Sequence, residues 1–556
     1  MPDTPTDLFI GSPRFSDPRL AALALSNNTG AAWRGAFQSD PKSAMQGVTG
    51  DFAVGLVEAN GRCFMAVDRF AIRTLCYRVD NGRLRFALRA DELADAATEI
   101  DPQAIFDYLY FHVIPSPRTI YKGIFRLPAG HYALFENGQL SVAPYWVPLF
   151  DEQQGASFDA LKNEFRHLLQ KAVSTQLDGS KPACFLSGGT DSSTITGMAA
   201  LASGKTVSTY SIGFDAQGYD EMEFARIAAR HFKTEHHEYY VTPEDLVRSI
   251  PAVAAHYDQP FGNSSALPSY YCAKMARADG VTKILAGDGG DELFGGNTRY
   301  AKQKIFGWYE HVPALVKKRL MEPLLATRAA GTFALTRKAG SYVEQARVPM
   351  PDRLQMYNLI MRLGTNEVLT PQLLAQVDTA SPLRLQRDVW QSAKGSNHLN
   401  QELAFDWRFT LAESDLPKVV GASGFAGVAV GFPMLDDLLL AFSQNLPIQY
   451  KVKGQQLRWF FKEALRGFLP DEILIKKKQG FGLPFGVWAN TNLALKKMAT
   501  DSLHGLADRG VVRKDFIQSL LTQRLPQHPG YFGEMVWILM VLEQWLKAKA
   551  PAYRLA

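Results

Sequence analysis

The sequence predicts an α/β protein in two parts, a β-rich N-terminal part and a C-terminal part with a mostly parallel sheet that ends in helices. Three observations carry this expectation. Residues 1 to about 150 hold strand-like runs joined by Asn-Gly dipeptides. From about residue 158 apolar runs of strand length alternate with helix-length amphipathic segments. Two of those strand-like runs end in glycine-rich, acid-bearing turns. At 556 residues the chain is too long for a single core, so two domains are expected.

In the N-terminal part, Asp51–Glu58 and Arg62–Asp68 flank Asn60-Gly61, a hairpin signal. Similar pairs surround Asp80-Asn81-Gly82 and Glu136-Asn137-Gly138. Pro148 to Ser157 is polar and turn-rich, which places a boundary there, with units at 1–150 and 155–556. A helix is predicted over Phe158–Gln176 and a buried strand over Ala183–Leu186. Thr206–Phe214 is the next strand, Tyr219–Phe232 a helix and His237–Val241 a strand. Thr242-Pro243-Glu244-Asp245 carries a cap, a first-position proline and first-turn acids, so a helix starts there. Thr282–Ala286 is a further strand, and from about 297 the chain is expected to be largely helical. Strand and helix alternation implies a parallel sheet with ligands at the strand C-terminal ends.

The strand at Ala183 runs into Ser187-Gly188-Gly189-Thr190-Asp191-Ser192-Ser193. Glycines let the backbone turn tightly and approach a ligand. The helix expected after the turn offers unpaired N–H groups and a positive dipole end, an anion site. Asp191 would repel a bare phosphate, so its expected role is to hold Mg²⁺, which binds through one or two carboxylates plus phosphate oxygens. The spacing is not that of a Walker loop. The second turn, Gly287-Asp288-Gly289-Gly290-Asp291-Glu292, follows the strand Thr282–Ala286. The third motif, Lys476-Lys477-Lys478-Gln479-Gly480-Phe481-Gly482-Leu483-Pro484, joins three lysines to a rigid aromatic stretch, where a lysine can stabilise phosphate or acyl charge.

Composition excludes other classes. The chain is 46% hydrophobic and 21% charged with net charge +5, which argues for neither nucleic acid nor a membrane surface as partner. No apolar run reaches membrane-spanning length, and no secretory signal pattern opens the chain. The four cysteines, Cys63, Cys76, Cys184 and Cys272, form no metal-ligand spacing and fit a reduced, cytoplasmic setting.

In this order the three motifs resemble the asparagine synthetase family, with matching surroundings at Tyr219-Asp220-Glu221, Asp258-Gln259-Pro260-Phe261 and Pro433-Met434-Leu435-Asp436. The resemblance implies an ATP pyrophosphatase (synthetase) domain at 155–556 and, at 1–150, an N-terminal-hydrolase-like αββα sandwich of the glutamine amidotransferase type. It implies ATP and Mg²⁺ as cofactors. Leu186, Ile212, Ala286 and Gly287 would line the ATP site, while Ser187, Gly188, Gly189, Asp191 and Ser192 would bind pyrophosphate. Asp191 and Asp291 would be the metal ligands. Asp288 sits at the family's acid for substrate binding or proton transfer, and Lys478 at its lysine for the adenylate and tetrahedral intermediate.

The chain also departs from the family. Glutamine-dependent members begin Met-Cys; here position 2 is Pro2, and no cysteine precedes Cys63. The N-terminal unit is therefore expected to be degenerate and without glutaminase activity. Where the family often has Glu-x-Arg-x-Pro, this chain has Ala429-Val430-Gly431-Phe432-Pro433. The expected function is an AMP-forming amide-bond synthetase whose amine is not ammonia from glutamine. Its partners would be small-molecule or peptide carboxylates and amines, a precursor peptide among them, in the manner of β-lactam synthetases or lasso-peptide cyclases. An ammonia-dependent asparagine synthetase is the alternative, and a non-catalytic scaffold a third reading.

Overall fold

The computed structural model describes residues 6–26, 28–38, 40–152, 155–216, 218–302, 306, 313, 316, 342–393, 397–476 and 482–555. Its N-terminal part is layered. A five-stranded antiparallel sheet runs in the order Leu8–Gly11, Phe52–Val57, Cys63–Val67, His131–Glu136, Gln139–Pro144. Alternate residues of Phe52–Val57 point opposite ways. Phe52, Val54 and Leu56 pack with Trp33 and Phe37 of the helix Thr29–Phe37. Ala53 instead meets Tyr77 and Leu84 of a second, three-stranded sheet. Both faces of the strand are covered, so the whole run is apolar and its two-residue period is hidden. The helix Pro102–Phe111 joins Phe70 and Cys76 in the largest core, which completes an αββα layering.

Two of the predicted hairpins close with both turn residues left-handed, Asn81 at φ 50° with Gly82 at 71° and Asn137 at 53° with Gly138 at 75°. This is the geometry that Asn-Gly adopts with least strain. The helix Phe158–Gln176 forms at the predicted bounds, capped by Ser157, which accepts from Ala160 N.

The second sheet is parallel, in the order Glu235–Val241, Ser208–Phe214, Ala183–Phe185, Lys283–Leu285, Ala429–Gly431. The strands before the two glycine turns are direct neighbours, with Cys184 opposite Leu285. One expectation is corrected: the helix expected from Tyr219 begins at Met222. The region after 297, expected to be largely helical, also supplies the fifth strand, Ala429–Gly431, too short to show a period. The rest of its described part is mainly helical, and the helix Pro529–Lys549 buries Val536 through Leu542 and Trp545. Among the described residues no helix is long and apolar enough to cross a membrane.

Candidate active site

A cleft of about 1150 Å³ opens at the C-terminal ends of the central strands. The first turn enters it at Leu186, whose N–H donates to Tyr210 O at 3.0 Å and whose carbonyl accepts from Ser211 Oγ. Gly188 has φ 69°, and a Cβ there would lie 2.4 Å from Ala225 N, so no larger residue fits. Ser192 Oγ lies 3.0 Å from Ser187 Oγ and accepts from Ser187 N at 3.2 Å, which folds the turn onto the start of the helix Thr190–Ser203. That helix has Gly189 at its N-cap and no side-chain cap, leaving its first N–H groups to the cleft.

The second turn interlocks with the first. A Cβ on Gly290 would lie 2.4 Å from Asp191 Oδ1, and one on Gly287 2.7 Å from Ser192 N. Glycine at both positions brings the two acid-bearing turns into direct contact. Their carboxylates converge on one point, occupied by the guanidinium of Arg458. Its Nη1 donates at 2.6 Å to both Asp191 oxygens and lies 3.0 Å from Asp291 Oδ1. Arg458 is buried and left-handed at φ 52°, and it leads into the helix Trp459–Ala464. One turn on, Lys462 also faces the cleft. Burial and the neighbouring Arg458 hold its ammonium below the usual lysine value, although Asp191 and Asp291 oppose this.

Two further lysines line the cleft. Lys476 Nζ lies 2.9 Å from Glu221 Oε1, 3.5 Å from Gly188 O and 4.4 Å from the Phe224 ring centroid, beside the first turn. Lys418 Nζ lies 3.2 Å from Asp415 and 3.5 Å from Asp288. Burial raises the Asp288 carboxyl above the ordinary carboxylate value, and Lys418 pulls it part of the way back. Burial disfavours the Lys418 ammonium, but Asp415 and Asp288 outweigh it and keep the group charged.

Leu186, Ser187, Gly189, Asp191, Ser192, Ile212, Gly287, Asp288 and Asp291 all line this cleft. Gly188 and Ala286 stand behind it, Gly188 against Phe224 and Ala225, and Ala286 fully buried with its N–H on Gly431 O. Lys478 lies outside the described residues. Sequence reasoning gave no role to Arg458, Lys462 or Lys418, and it placed Lys476 in the third motif but assigned the role there to Lys478. The signal for the first pair was the i, i+4 spacing of two cations on one helix face; for Lys418 it was Asp415 three residues before it.

Asp191 and Asp291 present two carboxylates to one point, the kind of donor pair magnesium takes, next to a turn lined by N–H and hydroxyl donors; the Arg458 guanidinium holds that point, so an ion there requires Arg458 to withdraw. Among the described residues no cluster of three or more acids, histidines or cysteines exists, so a bound ion would take its remaining ligands from phosphate and water.

In the N-terminal part, Cys63 and Cys76 are both buried. Burial pushes both thiols up, Cys76 far above the usual value. Both shifts disfavour the thiolate, the reactive form of cysteine.

Residues 164–547 match the profile of the Asparagine synthase family, and residues 35–146 that of the Glutamine amidotransferase domain. The chain is 24% identical over 489 residues to the Bacillus subtilis protein named Asparagine synthetase [glutamine-hydrolyzing] 1, covering 86% of this chain and 74% of that one. It is 34% identical over 250 residues to a Methanocaldococcus jannaschii protein named Putative asparagine synthetase [glutamine-hydrolyzing] 2, covering 42% and 47%. A Penicillium rubens protein named Amidase chyE is 27% identical over 497 residues, covering 79% and 70%.

Proposed function

The chain belongs to the asparagine synthase family, and from that premise we propose that it is an AMP-forming amide-bond synthetase that uses an amine other than ammonia from glutamine. The coarser statement follows from the family: the protein is an ATP-dependent carbon–nitrogen ligase. We propose its division into an amidotransferase-like unit at 1–150 and a synthetase unit at 155–556.

In this reading a substrate carboxylate oxygen attacks the α-phosphorus of ATP. The bond to the bridging oxygen breaks and pyrophosphate leaves. The amine nitrogen then attacks the acyl carbon, the bond to AMP breaks and the nitrogen loses a proton. Leu186 and Ile212 border the nucleotide, and Ser187, Gly189 and Ser192 hold the β- and γ-phosphates with the N–H groups of the helix start. Asp191 and Asp291 would hold magnesium once Arg458 withdraws, and the bound ion would neutralise charge on the leaving pyrophosphate. Asp288, set by Lys418, orients the amine or takes its proton. Lys478 stabilises the charge that builds at the acyl centre. Positioning and charge stabilisation do most of the work.

One observation carries the reading: two acid-bearing glycine turns on adjacent parallel strands meet at a single cation position. The choice of amine rests on the burial of all four cysteines. The carboxylate and amine are small-molecule or peptidic, a precursor peptide included. A second reading is ammonia-dependent asparagine synthesis; the relatives' names favour its product, asparagine, although they carry the words glutamine-hydrolyzing. ATP–pyrophosphate exchange across a panel of carboxylates separates the two. Stimulation by an acid other than aspartate supports the first, and stimulation by aspartate alone supports the second.

A further inference from the structure

In the proposed reading the N-terminal half supplies no ammonia, yet it grips the elements beside the cleft at two places, and both lead to the same turn. The first runs through Asp436 and Asp437, which follow directly on Leu435. Asp437 accepts from Gly50 N at 2.8 Å and pairs with Arg69. Arg14 lies 2.9 Å from Asp436 and 3.3 Å from Asp437. Asp436 also caps the helix Asp437–Asn445 through Leu438 N at 3.0 Å. The segment so fixed holds Leu435 against Gly289, where a Cβ would lie 2.4 Å from Leu435 Cδ2. Gly289 sits between Asp288 and Asp291.

The second grip runs through a π-helix, Trp407–Asp415, a wound form common at functional sites. The Trp407 ring packs on Phe150 and Trp146 of the N-terminal half, at centroid distances of 5.2 and 6.2 Å. Its indole N–H donates at 3.0 Å to Glu292 O, next to Asp291. Further along, buried Glu413 accepts from Arg126 at 2.5 Å and from Ser116 Oγ at 2.7 Å, both in the N-terminal half. The helix ends at Asp415, the partner of the Lys418 that reaches Asp288.

We infer that the amidotransferase-like half is a positioning body for the acid turn Gly287–Asp291, holding that turn in register with Asp191 from both flanks. The inference rests on the proposed function and assigns the retained half a role in it. Neither set of contacts includes a nucleophile or touches the cleft from the N-terminal side. Both consist of charge pairs and aromatic packing that end on residues 288, 289 and 292. A half kept only to cover apolar surface has no need for Arg14 and Arg69 to converge on two adjacent aspartates beside that turn. Asp437, Trp407 and Glu413 are therefore positioning residues.

The test uses the full chain and the magnesium complex of an α,β-methylene ATP analogue, with the dissociation constant measured by calorimetry. Asp437→Asn keeps the shape and removes the charge gripped by Arg14 and Arg69. Trp407→Phe keeps a ring and removes the donor to Glu292 O. Each is expected to weaken analogue binding by about fivefold or more, the lower end of coupling between separated sites. Melting temperatures should fall, because both changes break buried contacts, so binding is measured well below each midpoint, and Asp437→Glu should recover affinity. Wild-type affinity in both variants overturns the inference, as does a loss no larger than the unfolded fraction explains. A wild-type protein that fails to bind the analogue overturns the proposed function itself, and this inference with it.

Discussion

The two halves of the chain spend their charges differently. In the N-terminal half many acids and arginines pair among themselves or across to the other half, as Arg73 with Asp51 and Arg69 with Asp437. Its two cysteines are sealed in the core. In the C-terminal half Asp191, Asp291, Asp288, Arg458, Lys418, Lys462 and Lys476 all line one cleft. The strand Phe52–Val57 is fixed by two buried faces. A reaction centre persists only where charge is held at the surface of an opening. The contrast teaches that the N-terminal half acts through what it holds and the C-terminal half through what it exposes.

The largest expected break in that contrast is Asp191→Asn. It removes a carboxylate from the convergence point and should lower pyrophosphate release by about 10³-fold, the scale of losing a preorganised charge interaction. Quench-flow measurement of pyrophosphate reads it, and near-wild-type release would strip the cleft of its assigned role. Lys478→Ala is next, with an expected loss of about 10²-fold in amide formation. Adenylate should accumulate there, detectable as hydroxamate on trapping with hydroxylamine.

Arg458→Met leaves Asp191 and Asp291 facing each other without their guanidinium. Breaking a buried pair in this way costs about 3–5 kcal/mol. Thermal melts should show the loss, and added magnesium should restore part of it, because the ion answers the same two charges. A loss indifferent to magnesium would separate the arginine from the metal position.

Lys418→Met sharpens the assignment of Asp288. Lys418 favours the ionised carboxylate, so its removal lets burial raise Asp288 further. The acid limb of the pH profile for amide formation should move to higher pH, and a limb that stays in place would free Asp288 of the role. The smallest effect is expected from Cys63→Ser. It leaves synthesis at the wild-type rate and costs about 1–3 kcal/mol of stability for a polar group in a buried site. A fall in synthesis at unchanged stability would return the N-terminal half to chemistry.

Much of the architecture was legible because it rests on short-range rules. The Asn-Gly turns, the Thr242 cap and the alternation after residue 158 each speak through a few neighbouring residues. The glycine turns were legible for the same reason, and Gly188 and Gly290 show why no other residue serves there. The strand Ala429–Gly431 was not legible, because three residues carry no period and their place on the sheet edge is decided by Lys283–Leu285, far along the chain. Arg458 was hidden similarly. Nothing beside it in the sequence announces Asp191 or Asp291, and only the folded sheet brings the three together. Lys418 and Lys476 gain their meaning from Asp288 and Glu221, contacts that no local pattern encodes.

The most direct test supplies the purified protein with ATP, magnesium and the panel of carboxylates and amines, and identifies the nucleotide formed. The account predicts AMP and pyrophosphate in equal amounts, appearing together with the amide. ADP and inorganic phosphate in their place would contradict it.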